Sequence, residues 1–209
     1  MIIGINGSIG SGKDFFAETL AEFSFKPVER HAFADKLRLI TEQLTGYYMT
    51  MTHEPNKPFY NPVYNYTQDD KNVYLDMWGK TVGQILQQLG TEALRDNFDT
   101  DVWVKSLFAS VGKEALAKDH ILVIPDVRFP NEADYILEQG GILIKIVGDP
   151  MGVRANSKRD LNHPSETALN DYTNFTEIIE NDIADVSIFQ EKVRRFMFKH
   201  GVSVAECYA

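Results

Sequence analysis

Seven residues near the amino end, Gly7-Ser8-Ile9-Gly10-Ser11-Gly12-Lys13, have the types and spacing to hold a phosphate. The glycines let a loop take backbone angles closed to other residues, so successive N–H groups can turn inward around an anion. Lys13 closes the loop and can reach the outer phosphates of a nucleotide as a point charge. Asp14 comes next, where the G-x-x-x-x-G-K pattern usually continues with Ser or Thr. A carboxylate there can hold Mg²⁺, directly or through water, or can simply favour a helix start. Further along, Asp126 and Arg128 offer a second carboxylate for a metal and a guanidinium fork suited to phosphate. Arg154, Lys158 and Arg159 form a third group of charges.

These residues need a scaffold, and the surrounding pattern supplies one. A short apolar strand, Met1 to Asn6, precedes the loop, and a helical pattern from Asp14 follows it, with Phe16, Thr19, Leu20 and Phe23 inward. Strand, glycine loop and helix are the context that the motif requires. A second strand over about Pro27 to Ala34 leads to a short helix marked by Leu37, Ile40 and Leu44. Lys36 and Arg38 sit at that hand-over, the usual place for ligand contacts in an open α/β sheet. Lys36 is either a phosphate ligand or a solvent-facing charge. Ile121 to Ile124 is a continuous apolar run, as expected of a buried parallel strand, and it delivers Asp126 and Arg128 at its end. Pro130 opens the next helix and Gly140-Gly141 closes it. Strands over Ile142 to Val147 and Phe175 to Glu180, and a last helix carrying Val186, Phe189, Val193, Phe196 and Met197, complete the pattern. The alternation predicts one α/β domain over 1–209, built on a parallel central sheet of about five strands.

Two stretches interrupt it. Residues 47–78 hold six of the nine tyrosines, with Phe59, Trp78, three prolines and no clear period. A flap over a base, a contact within a homodimer, and an insertion packed on its own domain are the readings open to it. Residues 148–170 are polar and irregular. Between them, Val82, Ile85, Leu86, Leu89 and Ala93 form a helical stripe, with Gln84 and Gln88 four apart, able to read a base edge or to face solvent. A further helix, Asp101 to Lys118, carries Trp103, Leu107 and Val111.

Composition narrows the function. The chain has 209 residues, 44% of them hydrophobic and 24% charged, with no apolar run long enough to span a membrane. The single cysteine, Cys207, cannot form an internal disulfide, which suits a cytoplasmic location. A formal charge of −9 argues against broad binding to a nucleic-acid polymer but not against a small phosphorylated ligand in a local basic pocket. No Ser/His/Asp or Cys/His arrangement competes for the chemistry, and the five histidines lack metal-site spacing. Transfer from one phosphate to another explains the cations. Donor and acceptor are both anions, and the acceptor oxygen needs no general base, so positioning and electrostatics carry the reaction.

Lys13-Asp14, the Gly90 to Asp96 segment, Asp126-Val127-Arg128-Phe129-Pro130-Asn131-Glu132 and His163-Pro164-Ser165-Glu166 resemble the bacteriophage deoxynucleoside monophosphate kinases over nearly the whole chain. The resemblance implies a P-loop kinase-like three-layer fold, with an acceptor-binding region at about 35–100 and a lid at about 148–170. It implies transfer of the γ-phosphate of ATP to a deoxynucleoside monophosphate with Mg²⁺. Gly7, Ser8, Gly10, Ser11, Gly12, Lys13 and Asp14 would then hold ATP, with Asp14 and Asp126 at the metal. Lys13, Asp126, Arg128, Arg154 and Arg159 would serve the transfer. Lys36, Gln84, Gln88, Arg95, Trp103 and Arg128 would meet the acceptor. Two rivals remain at this level. Animal-type phosphomevalonate kinases share a Lys-Asp-Phe loop, here Lys13-Asp14-Phe15, and a nucleotide-operated switch would need the loop but no lid.

Overall fold

The structure is a computed structural model that describes residues 1–48, 52–53, 58–59, 64–65, 68–154 and 164–202. The chain divides into two compact units, one of residues 1–30, 58–61 and 114–209, the other of residues 31–57 and 62–113.

The first unit is built on five parallel strands: β1 (Ile2–Gly7), β2 (Val28–Arg30), β3 (Ile121–Ile124), β4 (Ile142–Val147) and β5 (Glu177–Glu180). Their order across the sheet is β2-β3-β1-β4-β5. Every pairing is parallel, with Ile3 against Val123 and Ile142 on its two sides. Side chains alternate between the faces of a strand, and both faces here are covered. Ile3, Ile5, Val123, Ile144 and Ile146 belong to one core with Phe16 and Leu20 of α1 (Lys13–Phe23) and with Phe189, Val193 and Phe196 of α3 (Val186–Lys199). The Phe16 and Phe196 rings meet edge-on at 5.2 Å. On the other face lies α2 (Pro130–Glu138), whose Ile136 packs where a side chain at Gly4 would stand. Two buried faces explain why β3 reads as a continuous apolar run.

Several local expectations shift. The second strand is only three residues long; Ala32 and Phe33, though buried, lie beyond it in irregular backbone and a turn. The expected ends of α2 hold: Pro130 occupies its first turn, and Gly140 follows its end at φ 70°. The fifth strand begins at Glu177 rather than Phe175.

In the second unit, the helix Asp35–Thr45 forms as expected but presents Leu39, Ile40 and Leu44 outward, with Thr41 and Glu42 buried. The helix Val82–Gln87 continues as a π-helix over Gln88–Arg95. The wider turn moves the inward stripe off its 3.6-residue period, so Ala93 is exposed while Arg95 is buried. The helix Val102–Leu107 likewise passes into a π segment, Phe108–Gly112. Trp103 Nε1 donates to Gly90 O at 2.9 Å, tying that helix to the π turn. Within 47–78, short antiparallel pairs join Thr52–His53 to Tyr64–Asn65 and Tyr74–Leu75 to Lys80–Thr81. Much of that aromatic stretch, including Tyr60 and Tyr66, lies outside the described residues.

Candidate active site

β1 ends at Gly7, and the chain turns through the glycine loop into α1. Two glycines are required here by geometry. Gly10, at φ 81°, has Asp149 and Val153 where a side chain would go. Gly12, at φ 94°, caps α1 in the left-handed region, with Asn181 Nδ2 2.6 Å from the place of its missing Cβ. Lys13 is half-buried, and its Nζ donates to Ser8 O across the loop at 2.8 Å. Ser11 is fully buried beneath the loop, and its Oγ has no partner among the described residues.

A cleft of about 120 Å³ opens beside this loop. Lys13 lines it with Asp126 and Arg128 from the end of β3, Lys145 from β4, Arg154, and Glu166. Four cations thus stand against two carboxylates in one small space, on a chain whose overall charge is −9. Local positive potential of this kind concentrates anions whatever the net charge.

The turn carrying Asp126 and Arg128 is held in place from two directions. Asn6 Nδ2 donates to Val127 O at 2.9 Å, fastening the turn to β1. Glu132, buried in the first turn of α2, accepts from the backbone N–H groups of Arg128 at 2.7 Å and Phe129 at 3.1 Å. The side chain of Arg128 instead reaches Ser165 O at 3.2 Å and the Glu166 carboxylate. On the other side of the loop, Asp149 accepts from the N–H groups of Val153 and Arg154, both at 2.8 Å. Arg154 donates through one terminal nitrogen to Gly148 O at 3.3 Å. Its buried Nε has no partner among the described residues, a donor that an anionic ligand would satisfy. Arg159, the other basic residue expected to close over the ligand, lies outside the described residues, as does Lys158.

Asp14, the expected metal ligand, has its carboxylate on Arg30, 2.6 Å away. Among the described residues no three His, Cys, Asp or Glu side chains converge as a metal cage. The donor set still fits Mg²⁺, which takes one or two carboxylates and fills its remaining positions with substrate phosphates and water.

A family model for deoxynucleotide monophosphate kinases matches residues 63–193, more than half of the chain. A protein of Acanthamoeba polyphaga mimivirus, assigned as a deoxynucleotide monophosphate kinase, is 32% identical over 199 residues, covering 87% of this chain and 89% of its own. The chain belongs to the deoxynucleotide monophosphate kinase family. Among solved structures, the tunicamycin resistance protein of Deinococcus radiodurans is similar in fold alone, with a TM-score of 0.50 at 13% identity, over 99% of this chain and 98% of its own.

For a deoxynucleotide monophosphate kinase, the cleft and the phosphate loop beside it have three features that motif reading did not single out. Lys145 sits in a buried strand, its Nζ over the Phe175 ring at 5.2 Å and 3.4 Å from Leu169 O. Arg30 holds Asp14. Asn181, buried just past β5, donates its Nδ2 to Ser11 O at 2.9 Å, so the sheet edge supports the phosphate loop from below.

Apart from Arg128, the residues expected at the acceptor belong to the second unit, and there the structure shows their local roles. Lys36 is exposed. The Gln84 side chain accepts from Thr81 N at 2.8 Å while Thr81 Oγ1 accepts from Gln84 N, a capping box. Gln88 Oε1 accepts from Lys80. Arg95 and Trp103 are buried, the latter bonded to Gly90 as described.

Asn181→Ala is expected to leave Ser11 O without its buried donor. The loss should lower stability by about 1–3 kcal/mol and weaken ATP binding through a loosened loop. A melting curve and an ATP titration of the same variant check both parts; a melt and an affinity equal to those of the parent protein would remove Asn181 from the support of the loop.

Proposed function

We propose that this family member transfers the γ-phosphate of ATP to a deoxynucleoside monophosphate, giving a deoxynucleoside diphosphate and ADP. The observation that carries the reading is the cleft in which Lys13, Arg128, Lys145 and Arg154 line one small space beside the phosphate loop. Two anions must meet there, and their repulsion is the obstacle that fixed cations offset. The acceptor oxygen is already a nucleophile, so no side chain need remove a proton, and alignment does the rest.

In this reading the amides of the loop and Lys13 hold the donor phosphates. Arg128 grips the acceptor phosphate, and Arg154, joined by Arg159, steadies the transferred group. Asp126 and Asp14 would hold Mg²⁺, which would supply positive charge to offset the negative charge that develops during transfer. Of the second-unit residues, exposed Lys36 is the candidate for the acceptor phosphate. Arg95, Gln84, Gln88 and Trp103 are proposed to shape the acceptor region through the helices they tie together.

The test is ADP release from ATP with each deoxynucleoside monophosphate, each ribonucleoside monophosphate and phosphomevalonate in parallel. Release that depends on a deoxynucleoside monophosphate is expected; release with none of the nucleotides, or with phosphomevalonate alone, would overturn the reading. The same assay examines the metal. Asp126→Asn keeps the size of the side chain but removes the charge that holds hydrated Mg²⁺, so half-maximal rate should require more Mg²⁺. An unchanged rate at every Mg²⁺ concentration would strike Asp126 from the metal site.

A further inference from the structure

We propose that Arg30 is the counter-charge that allows Asp14 to follow the loop lysine, and that nucleotide affinity depends on this pair as a unit. The inference rests on the nucleotide kinase reading and adds a residue to it. Arg30 is the last residue of β2, in register with Val123 of β3, so it stands on the carboxyl edge of the sheet from which the phosphate loop and Asp126 also emerge. Its guanidinium donates to Asp14 Oδ1 at 2.6 Å. The two partners differ in setting: the Arg30 side chain is 12% exposed and the Asp14 side chain 67%. The arginine is therefore the fixed member, anchored in the sheet, and the carboxylate is the member brought to it.

The ion pair itself adds little stability with so exposed a partner, because surface ion pairs contribute little. The electrostatics of the loop supply a stronger reason. A triphosphate carries about four negative charges, and the loop meets it with Lys13 and neutral amides. Ser or Thr after the lysine leaves that balance untouched, whereas Asp14 subtracts one charge from the first turn of α1. With Arg30 beside it, Lys13, Asp14 and Arg30 sum to the same single positive charge that Lys followed by Ser or Thr would give. The departure at position 14 and the cation at position 30 are thus two halves of one feature. Neither is accounted for by the loop pattern alone.

One unit charge near the phosphates, at an effective dielectric between protein and water, changes affinity by roughly 10-fold. The experiment is calorimetric titration of ATP, in EDTA so that no metal contributes, into the full chain and four variants. Arg30→Met should bind ATP about 10-fold more weakly than the parent protein. Arg30→Lys, which keeps the charge, should stay within about threefold of the parent even if its melting temperature falls. Asp14→Asn should bind at least as tightly as the parent, because it leaves Arg30 in excess. Asp14→Asn combined with Arg30→Met should return to near the parental affinity, since the charge sum is restored.

A purely structural pair would behave differently. Arg30→Met and Arg30→Lys would then lose affinity alike, and the double variant would be no better than Arg30→Met. Either result overturns the inference while leaving the kinase reading intact. If the parent protein itself fails to bind ATP with or without Mg²⁺, the kinase reading fails instead. The two failures are therefore distinguishable in one set of titrations.

Discussion

Replacing Lys13 by Ala is expected to abolish phosphoryl transfer and to leave most of the stability in place. The lysine donates from Nζ to Ser8 O at 2.8 Å and lies outside the core around Phe16 and Phe196. Losing a hydrogen bond of that kind costs about 0.5–1.5 kcal/mol, a shift of a few degrees in melting temperature. The half-buried setting makes the cost small rather than zero. The catalytic loss is of another order. Lys13 is the only cation belonging to the glycine loop itself, and a positioned charge on a transferring phosphoryl group is worth several kcal/mol in the transition state. Turnover and melting measured on one preparation separate the two effects. A variant that keeps more than about a tenth of the rate, roughly 1.4 kcal/mol of barrier, would count against placing Lys13 at the donor phosphates.

What the sequence made legible follows from how local each signal is. The glycine loop could be read because its strand, its turn and its helix are contiguous, and the same holds for Pro130 and Gly140 around α2. The strand Ile121 to Ile124 was visible because burial on both faces demands an unbroken apolar run. The π turns were not visible: they change the period of the helix, so a 3.6-residue template placed Ala93 inside where the structure buries Arg95. The helix Asp35–Thr45 was found from its apolar residues, yet Ile40 and Leu44 face outward, since periodicity reports a stripe and not what covers it. Asn181 and Ser11 lie 170 positions apart, and no pattern in either neighbourhood announces their bond. Two missed residues did leave signals. Lys145 is a lone charge in the apolar strand Ile142–Val147, which is unusual unless the charge has a task. Arg30 could have been sought once Asp14 was seen beside a phosphate site, because an added negative charge there asks for a compensating cation.

Arg128→Lys should impair use of the monophosphate while the response to ATP changes little. Lysine supplies the charge but not the two-pronged fork, so it is no conservative replacement at a planar phosphate contact. Loss of a charge-assisted contact is worth about 1.5–3 kcal/mol, or roughly 10- to 150-fold in the apparent affinity for the acceptor or in rate. The competing account is a structural ion pair, and the structure changes its identity. Glu132, four residues along, is occupied with the backbone N–H groups of Arg128 and Phe129, and the guanidinium pairs with Glu166. The Glu166 side chain is 11% exposed and that of Arg128 32%, so the pair is sheltered enough to matter for stability. It also gives the two accounts opposite consequences for Glu166→Gln. If the pair is structural only, Glu166→Gln and Arg128→Lys should both lower the melting temperature, with no selective defect toward the monophosphate. If Arg128 must leave Glu166 to take the acceptor phosphate, removing that carboxylate's charge removes a competitor, and the monophosphate should saturate at lower concentration. Steady-state kinetics with each substrate varied in turn, and a melt of each variant, decide the matter. A defect of Arg128→Lys confined to ATP would move the arginine to the donor, and one confined to stability would return it to the scaffold.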